Sequence, residues 1–404
     1  MKIISGGVCA AKGFRAAGLH CGIRRNKSKK DLALIVSDVP AQTAAVYTTN
    51  KVQGAPIAVT RRHLADGTAR AVICNSGNAN TCNADGEHVA AQMCQLTGNA
   101  LGLKSGDIAV ASTGVIGQPL DVTPIANALP DLVKTLSQQG GEDAAEAIMT
   151  TDTTRKEYAL EFKLDGKICR MGAIAKGSGM VHPNMATMLI FITTDANIPS
   201  PLLQKALRED CEESFHMVSV DGDTSTNDMV LIMANAMAGN APIAADSEDY
   251  RTFCAALRKL TVNLCREIAR DGEGASRLLT CNVTGAASLS AARQAAKAVI
   301  CSSLIKTAIF GADANWGRVL CALGYGLAEL DPDRVDVSFS SAAGEIAVCK
   351  NGQGLAFSEE RAKEILTQDE VTINAKIGGG THCATAWGCD LSYEYVRING
   401  DYRT

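Results

Sequence analysis

KGSGMVHPNMATMLIFITTD, residues 176–195, places a glycine-loosened loop and a Pro-Asn turn directly ahead of an apolar, β-branched run. The run TMLIFITTD (187–195) is short, almost continuously hydrophobic and bounded by turn residues, so it reads as a fully buried strand. The same stretch holds Ala186-Thr187. A threonine hydroxyl is a poor nucleophile unless a base sits beside it. If the Ala186–Thr187 peptide were cut, the new α-amine of Thr187 would lie next to its own hydroxyl, and its pKa near neutrality suits a general base. A strained turn at Pro183-Asn184, relaxed by Gly177 and Gly179, would let Oγ attack the preceding carbonyl and shift the acyl group from N to O. Internal Ala-Thr pairs are common, however. From spacing alone, loop-to-strand punctuation remains the simpler reading.

Working outward, DLALIVSD (31–38), AAVYTTN (44–50) and RAVICNSGN (70–78) read as strands. HVAAQMCQLTGNALGL (88–103) and TPIANALPDLVKTLSQQ (123–139) carry helical periodicity, the second interrupted by Pro130. GDIAVASTGVIG (106–117) is a strand entering a turn. YALEFKLDGKICRMGAIA (158–175) is a hairpin about Asp165-Gly166, and a second hairpin is expected at Asn351-Gly352. SPLLQKALREDCEESF (200–215), with Ser200 as its N-cap, and 247–274 read as helices. From about residue 285 a further unit alternates helix and strand. The class is α/β, layered as α+β, with mixed and largely antiparallel sheets because hairpins recur. The division expected is a domain over 1–284 and a smaller C-terminal α/β domain over 285–404.

Of the 404 residues, 43 are acidic and 39 basic, which supplies no basic face for nucleic acid or an anionic membrane. No apolar run reaches the ~18–20 residues of a membrane span, and the N-terminus has no secretory h-region, so cytoplasm is the expected location. Fifteen cysteines without a CxxC pair read as reduced thiols serving as small core residues.

Most polar motifs have a plain structural reading. GGGTHCATAWG (378–388) lacks the Lys-Ser/Thr of a P-loop and fits no GxGxxG pattern, so it is a turn. His382-Cys383 has no partner pair at zinc spacing. NSGNAN (75–80) and VDGDTSTND (220–228) suit turns whose side chains bond their own backbone, and the second lacks the EF-hand glycine and glutamate. STGVIG (112–117) follows an apolar strand, where a small hydroxyl residue and a glycine let backbone N–H groups face a cleft, as an oxyanion hole requires. Lys176 could meet a substrate carboxylate, and Glu273 in DGEG an ammonium.

Taken together and in order, KGSGMVHPNMATML, the upstream STGVIG, and the downstream DGEGA, FGADANWGR and YVRINGDYRT carry more than their separate meanings. The chain resembles the ornithine acetyltransferases, also called glutamate N-acetyltransferases, of arginine biosynthesis, from GFRAAGLHCGIRR to Thr404. The resemblance implies a precursor that cuts itself between Ala186 and Thr187 into an α chain (1–186) and a β chain (187–404). These would assemble as an α2β2 heterotetramer, on a fold shared with self-processing aminopeptidases. It implies Thr187 as nucleophile, its freed amine as base, and Thr113 and Gly114 as the oxyanion hole. Lys176, Glu273, Asn399 and Thr404, with Thr187 and either Thr151 or Thr153, would contact substrate. The reaction implied passes the acetyl group of N-acetylornithine to glutamate in two steps, with no metal or cofactor. Acetyl-CoA as a further donor stays open, as does an aminopeptidase or amidase on the same scaffold. His182, where many relatives carry a small residue, is read as packing.

Overall fold

The structure, a computed structural model, describes residues 1–182 and 188–401. Among them the chain forms strands β1 (Lys2–Ile4), β2 (Phe14–Leu19), β3 (Leu32–Tyr47), β4 (Thr68–Asn78), β5 (Ile108–Val115), β6 (Lys156–Leu164), β7 (Lys167–Lys176) and β8 (Leu189–Thr194). After these come β9 (Val218–Ser219), β10 (Met229–Ala234), β11 (Leu278–Ala286), β12 (Asp336–Ser341), β13 (Gly344–Lys350), β14 (Gln353–Gly354), β15 (Glu370–Lys376) and β16 (His382–Cys389). The helices are α1 (Ala55–His63), α2 (Gly86–Leu101), α3 (Thr123–Lys134), α4 (Gly141–Ile148), α5 (Ser200–Cys211) and α6 (Glu248–Arg270). They continue with α7 (Leu289–Cys301), α8 (Ser303–Phe310), α9 (Trp316–Gly326), α10 (Glu359–Leu366) and α11 (Tyr393–Gly400).

Two compact units result. The first is Met1–Gly177, Asn184–Glu212 and Thr224–Leu264; the second is Ser178–Pro183, Glu213–Asp223 and Cys265–Thr404. Residue 285 lies inside β11, which binds β15 on one side and β16 on the other. The first sheet runs β1-β6-β7-β8-β10-β3-β4-β5, with β2 also paired to β3. The second runs β14-β13-β12-β15-β11-β16-β9. Antiparallel pairings dominate, as the hairpins foretold. The parallel ones are β4–β5, β8–β10, β9–β16 and β11–β15.

β8 is the buried strand that the sequence announces. All six of its residues are buried between antiparallel β7 and parallel β10. Leu189 and Phe191 join Ile35, Cys74, Met229, Leu231 and the alanines of α4 in one core layer. Leu34, Ile73 and Val110 turn to the other face, under α2 and α3. This two-sided alternation follows from the pleat, which sends successive side chains to opposite faces. The β6–β7 hairpin closes on Asp165 (φ 49°) and Gly166 (φ 70°), the left-handed pair of a type I′ turn. Asn351 and Gly352 repeat it between β13 and β14.

Three local expectations are corrected. Segments 31–38 and 44–50 belong to one strand, β3, whose register against β4 jumps between Val36 and Ala41. Pro40, with no N–H to give the ladder, sits in that irregular stretch while the strand runs on. Helix α3 continues through Pro130 as far as Lys134, held by buried Ile125, Leu129 and Leu132. Ser200 is the first residue of α5 rather than its cap; Pro199 caps, and the Ser200 hydroxyl donates to the Thr43 carbonyl (3.0 Å).

Replacing Phe191 by Ala removes a ring packed on all sides in β8 and is expected to cost about 3–5 kcal/mol. Lys167→Ala, at an exposed hairpin position, should stay within about 0.5 kcal/mol. Denaturant midpoints of the two variants test the contrast.

Candidate active site

In the first unit, β4 and β5 run parallel and end together, pairing Asn75 with Ser112 and Gly77 with Gly114. Gly114 has φ 132°, and a Cβ there would lie 2.3 Å from the Gly77 carbonyl carbon. Only glycine lets the two backbones come this close. Thr113 and Gly114 are half-buried at the carboxyl ends of parallel strands, the end of an α/β sheet where ligands bind.

A network of buried amides fixes that end. The Ser112 hydroxyl donates to Asn75 Oδ1 (2.6 Å), and Asn75 Nδ2 donates to the Asn78 carbonyl (2.9 Å). Asn227 Nδ2 donates to the carbonyls of Ala79 (2.6 Å) and Ser112 (2.9 Å), while its Oδ1 accepts from the hydroxyls of Thr81 and Thr226 (both 2.6 Å). The sequence reading gave these asparagines to local turns. Asn75 and Asn78 do bond locally, but Asn227 reaches a strand end 115 residues away. Nothing in its neighbourhood along the chain signals this.

Lys176 ends β7 and is only 7% exposed. Asp152 governs its surroundings, a residue passed over between the two candidate threonines. Its Oδ1 accepts from Lys156 Nζ (2.8 Å) and from the Gly177 N–H (2.8 Å), and its Oδ2 from the Thr150 N–H (3.0 Å). The Asp152 and Lys156 side chains are fully buried. Burial acts to raise the Asp152 carboxyl, but the charges of Lys156 and Lys176 and these hydrogen bonds prevail and hold it well below the usual carboxylate range. The pair was legible as an acid and a base four residues apart. Thr151 is half-buried and Thr153 exposed.

Asp228, just before β10, is 2% exposed. Burial pushes its carboxyl well above the ordinary value, against opposing hydrogen bonds and the Lys176 charge. Two aspartates near one lysine are thereby shifted in opposite directions.

In the second unit, Glu273 and Asn399 are brought together: Asn399 Nδ2 donates to Glu273 Oε2 (2.7 Å). Glu273 also lies against the glycine loop. Its N–H donates to the Ser178 carbonyl (2.9 Å), and a Cβ on Gly179 would fall 2.3 Å from its carboxyl carbon. Asp221 accepts the N–H groups of Met180 (2.5 Å) and Val181 (2.8 Å), and the Tyr395 hydroxyl lies 3.3 Å away. His182 places Nδ1 3.1 Å from Ser219 Oγ and 3.4 Å from Cys301 Sγ. Burial, with Lys297 nearby, pushes its pKa down to about 4, so it is neutral at pH 7. Ala186, Thr187 and Thr404 lie outside the described residues. Among those described, no cluster of His, Cys, Asp and Glu gathers to hold a metal, and no helix is long and apolar enough to cross a membrane.

Mixed sheets flanked by helices, with polar networks at their strand ends, define an α/β protein of layered type. The sequence model of the ArgJ family matches residues 15–404. The arginine biosynthesis bifunctional protein ArgJ of Symbiobacterium thermophilum is 50% identical over 406 residues, all of both chains. The protein ArgJ 1 of Clostridium acetobutylicum is 48% identical over 97% of this chain and 96% of its own. A crystal structure of the Bacillus halodurans argJ protein is 44% identical, with a TM-score of 0.50, and covers 52% of this chain and 97% of that one. The chain belongs to the ArgJ family.

Asp152→Asn would leave Lys156 buried without its carboxylate and is expected to cost about 3 kcal/mol. The wild-type stabilisation carries a sign. The folded state binds the Asp152 proton less tightly than the unfolded state, whose pKa is about 4. The contribution is therefore full above that value and is lost as pH falls through the lowered folded one. Thermal melts from pH 7 down to 3 should show wild type and variant converging.

Proposed function

We propose that this protein passes the acetyl group of N2-acetyl-L-ornithine to L-glutamate, giving L-ornithine and N-acetyl-L-glutamate. It is an acyltransferase of arginine biosynthesis, and the observation that carries this is full-length identity of 50% to an arginine biosynthesis bifunctional protein. The description of those relatives as bifunctional supports a second activity, acetylation of glutamate from acetyl-CoA, with no cofactor beyond the acetyl donor. An aminopeptidase or amidase reading has no comparable support.

The mechanism is a self-cut before Thr187 followed by ping-pong acyl transfer. The B. halodurans chain, covered over 97% of its length by 52% of this one, is about half as long, which suits a split into 1–186 and 187–404. Thr187 Oγ attacks the acetyl carbonyl, with its own α-amine taking the proton. Thr113 and Gly114 stabilise the oxyanion from a strand end that cannot drift, because Asn75 and Asn227 pin it. Ornithine departs, and glutamate takes the acetyl group from the threonine ester. Lys176 pairs with substrate carboxylate, and Glu273 with Asn399 pairs with the amino end; Thr151 or Thr153 adds a further contact. Thr404 serves as a further substrate contact. The chains work as an α2β2 assembly in the cytoplasm.

Incubation with N-acetylornithine, with and without glutamate, tests the transfer. Ornithine release should depend on glutamate, and equal release in both tubes would overturn the transferase reading. Thr187→Ala is expected to remain a single uncut chain on a denaturing gel and to lose transfer by at least about 100-fold. A second N-terminal sequence beginning Thr-Met-Leu in the wild type, and none in the variant, checks the cut itself.

A further inference from the structure

The connection between β2 and β3 carries charge that the transfer of acetyl from ornithine does not use. Residues 24–30 read RRNKSKK, five cations in seven positions with no acid among them, in a chain whose net charge is -4. Lys30 pairs with Asp143 (2.5 Å) and Glu146 (2.9 Å) of α4. Arg25, Lys27 and Lys29 are exposed, and among the described residues they form no ion pair. Asp31, the next acid along the chain, does not answer them. It is fully buried, and its carboxylate accepts the N–H groups of Cys21 (2.5 Å), Gly22 (3.3 Å) and Arg24 (2.8 Å). A run of like charges ordinarily repels itself into a solvated tail. This one is tied down instead. Besides the Asp31 anchor, Asn26 Oδ1 accepts the N–H (3.0 Å) and hydroxyl (2.7 Å) of Ser28, and the Lys29 N–H donates to the Asn26 carbonyl (3.2 Å).

Strand register fixes where the loop stands. Leu32, the first residue of β3, pairs with Asn75, and Asn75 with Ser112. The Ser76 N–H donates to the Asp31 carbonyl (2.9 Å). The loop therefore lies at the carboxyl ends of β4 and β5, which carry Gly77 and Gly114. Arg24 packs directly on that end. Its guanidinium donates to the Met149 carbonyl, and a Cβ on Gly77 (φ 95°) would lie 2.8 Å from its Cγ. Three ordered cations without protein partners suit a ligand with several negative charges, more than one amino-acid carboxylate supplies. Acetyl-CoA is such a ligand. Its phosphates and its acetyl thioester sit at opposite ends of a flexible pantetheine arm, so the thioester can enter the strand end while the phosphates stay outside. We propose that Arg25, Lys27 and Lys29 bind the phosphates of acetyl-CoA. The assignment rests on the acetyl-CoA activity given above and adds the place where that donor is held. No bond is made or broken at the loop.

The test compares full-length wild type with R25A/K27A/K29A by titration calorimetry, using CoA, pantetheine and inorganic pyrophosphate as probes. The triple variant should bind CoA about 20-fold more weakly than wild type. It should also lose less affinity between about 0.05 and 0.3 M salt, because fewer charges are left to screen. Pantetheine, which has no phosphate, should bind both proteins alike. With acetyl-CoA as donor to glutamate, KM should rise by the same factor and kcat stay within about 2-fold, the mark of a contact made equally in ground and transition states. If the triple variant does not fold, K27E, a single charge reversal at an exposed position, gives the same comparison. Equal CoA affinity in wild type and variant overturns this assignment alone. So does pyrophosphate binding as tightly as CoA, which would make the loop a general anion patch. A wild type that transfers acetyl from N-acetylornithine but neither binds CoA nor uses acetyl-CoA overturns the second activity and this assignment with it.

Discussion

The first sheet is organised by the need to bury β8 completely. A strand covered on both faces and bonded on both edges offers no side to water. Every charge near its ends must then be answered by protein groups. The sequence meets this with Leu189–Thr194, all apolar or hydroxylic, flanked by the buried part of β7 and by apolar β10. The charged residues collect at one level. Lys176 pairs in register with Leu189, and Leu189 with Met229, so Lys176 and Asp228 approach the same edge of the core from either side of β8.

The two aspartates there show how burial and partners decide charge. Asp152 is given two backbone N–H groups and a buried lysine, and is held as a carboxylate. Asp228 is given hydroxyls, one N–H and the Lys176 charge, which do not offset its burial. Environments that drive like groups apart mark acid and base roles. Asp152 orders the backbone directly after Lys176.

Much of this was legible. The buried run of β8, the Asp165-Gly166 and Asn351-Gly352 turns, and the helices of α2 and α6 follow from periodicity and turn chemistry acting over a few residues. The fold class followed from them. The errors came where a local signal was overruled by tertiary pairing: Pro40 did not end β3 because β2 and β10 hold that strand along its length, and Pro130 did not end α3 because its apolar face is anchored. Among the candidate site residues, Lys176, Glu273 and the Thr113-Gly114 end were visible as motif positions. Asn227 and Asp228 were not, because their meaning lies in partners brought near by folding, as with the Ala79 and Ser112 carbonyls that Asn227 binds; Asp152 had only the local signal of Lys156 four residues on.

The second unit follows the same logic with the opposite balance. Loop 178–182 has no ladder of its own, so other groups replace one: the Asp221 carboxylate takes the N–H groups of Met180 and Val181, and Ser178 accepts the Glu273 N–H at its carbonyl and donates its hydroxyl to the Asp271 carbonyl. Met180 is kept at φ 55°, a left-handed setting that a non-glycine residue keeps only when its surroundings impose it. At Gly179 the Glu273 carboxyl occupies the space a side chain would take, so any larger residue would displace it. The glycines ahead of PNMAT therefore do more than loosen a loop. Gly179 admits an acidic side chain to the backbone, and Gly177 offers its N–H to Asp152. The backbone is thereby fixed at points on either side of Ser178.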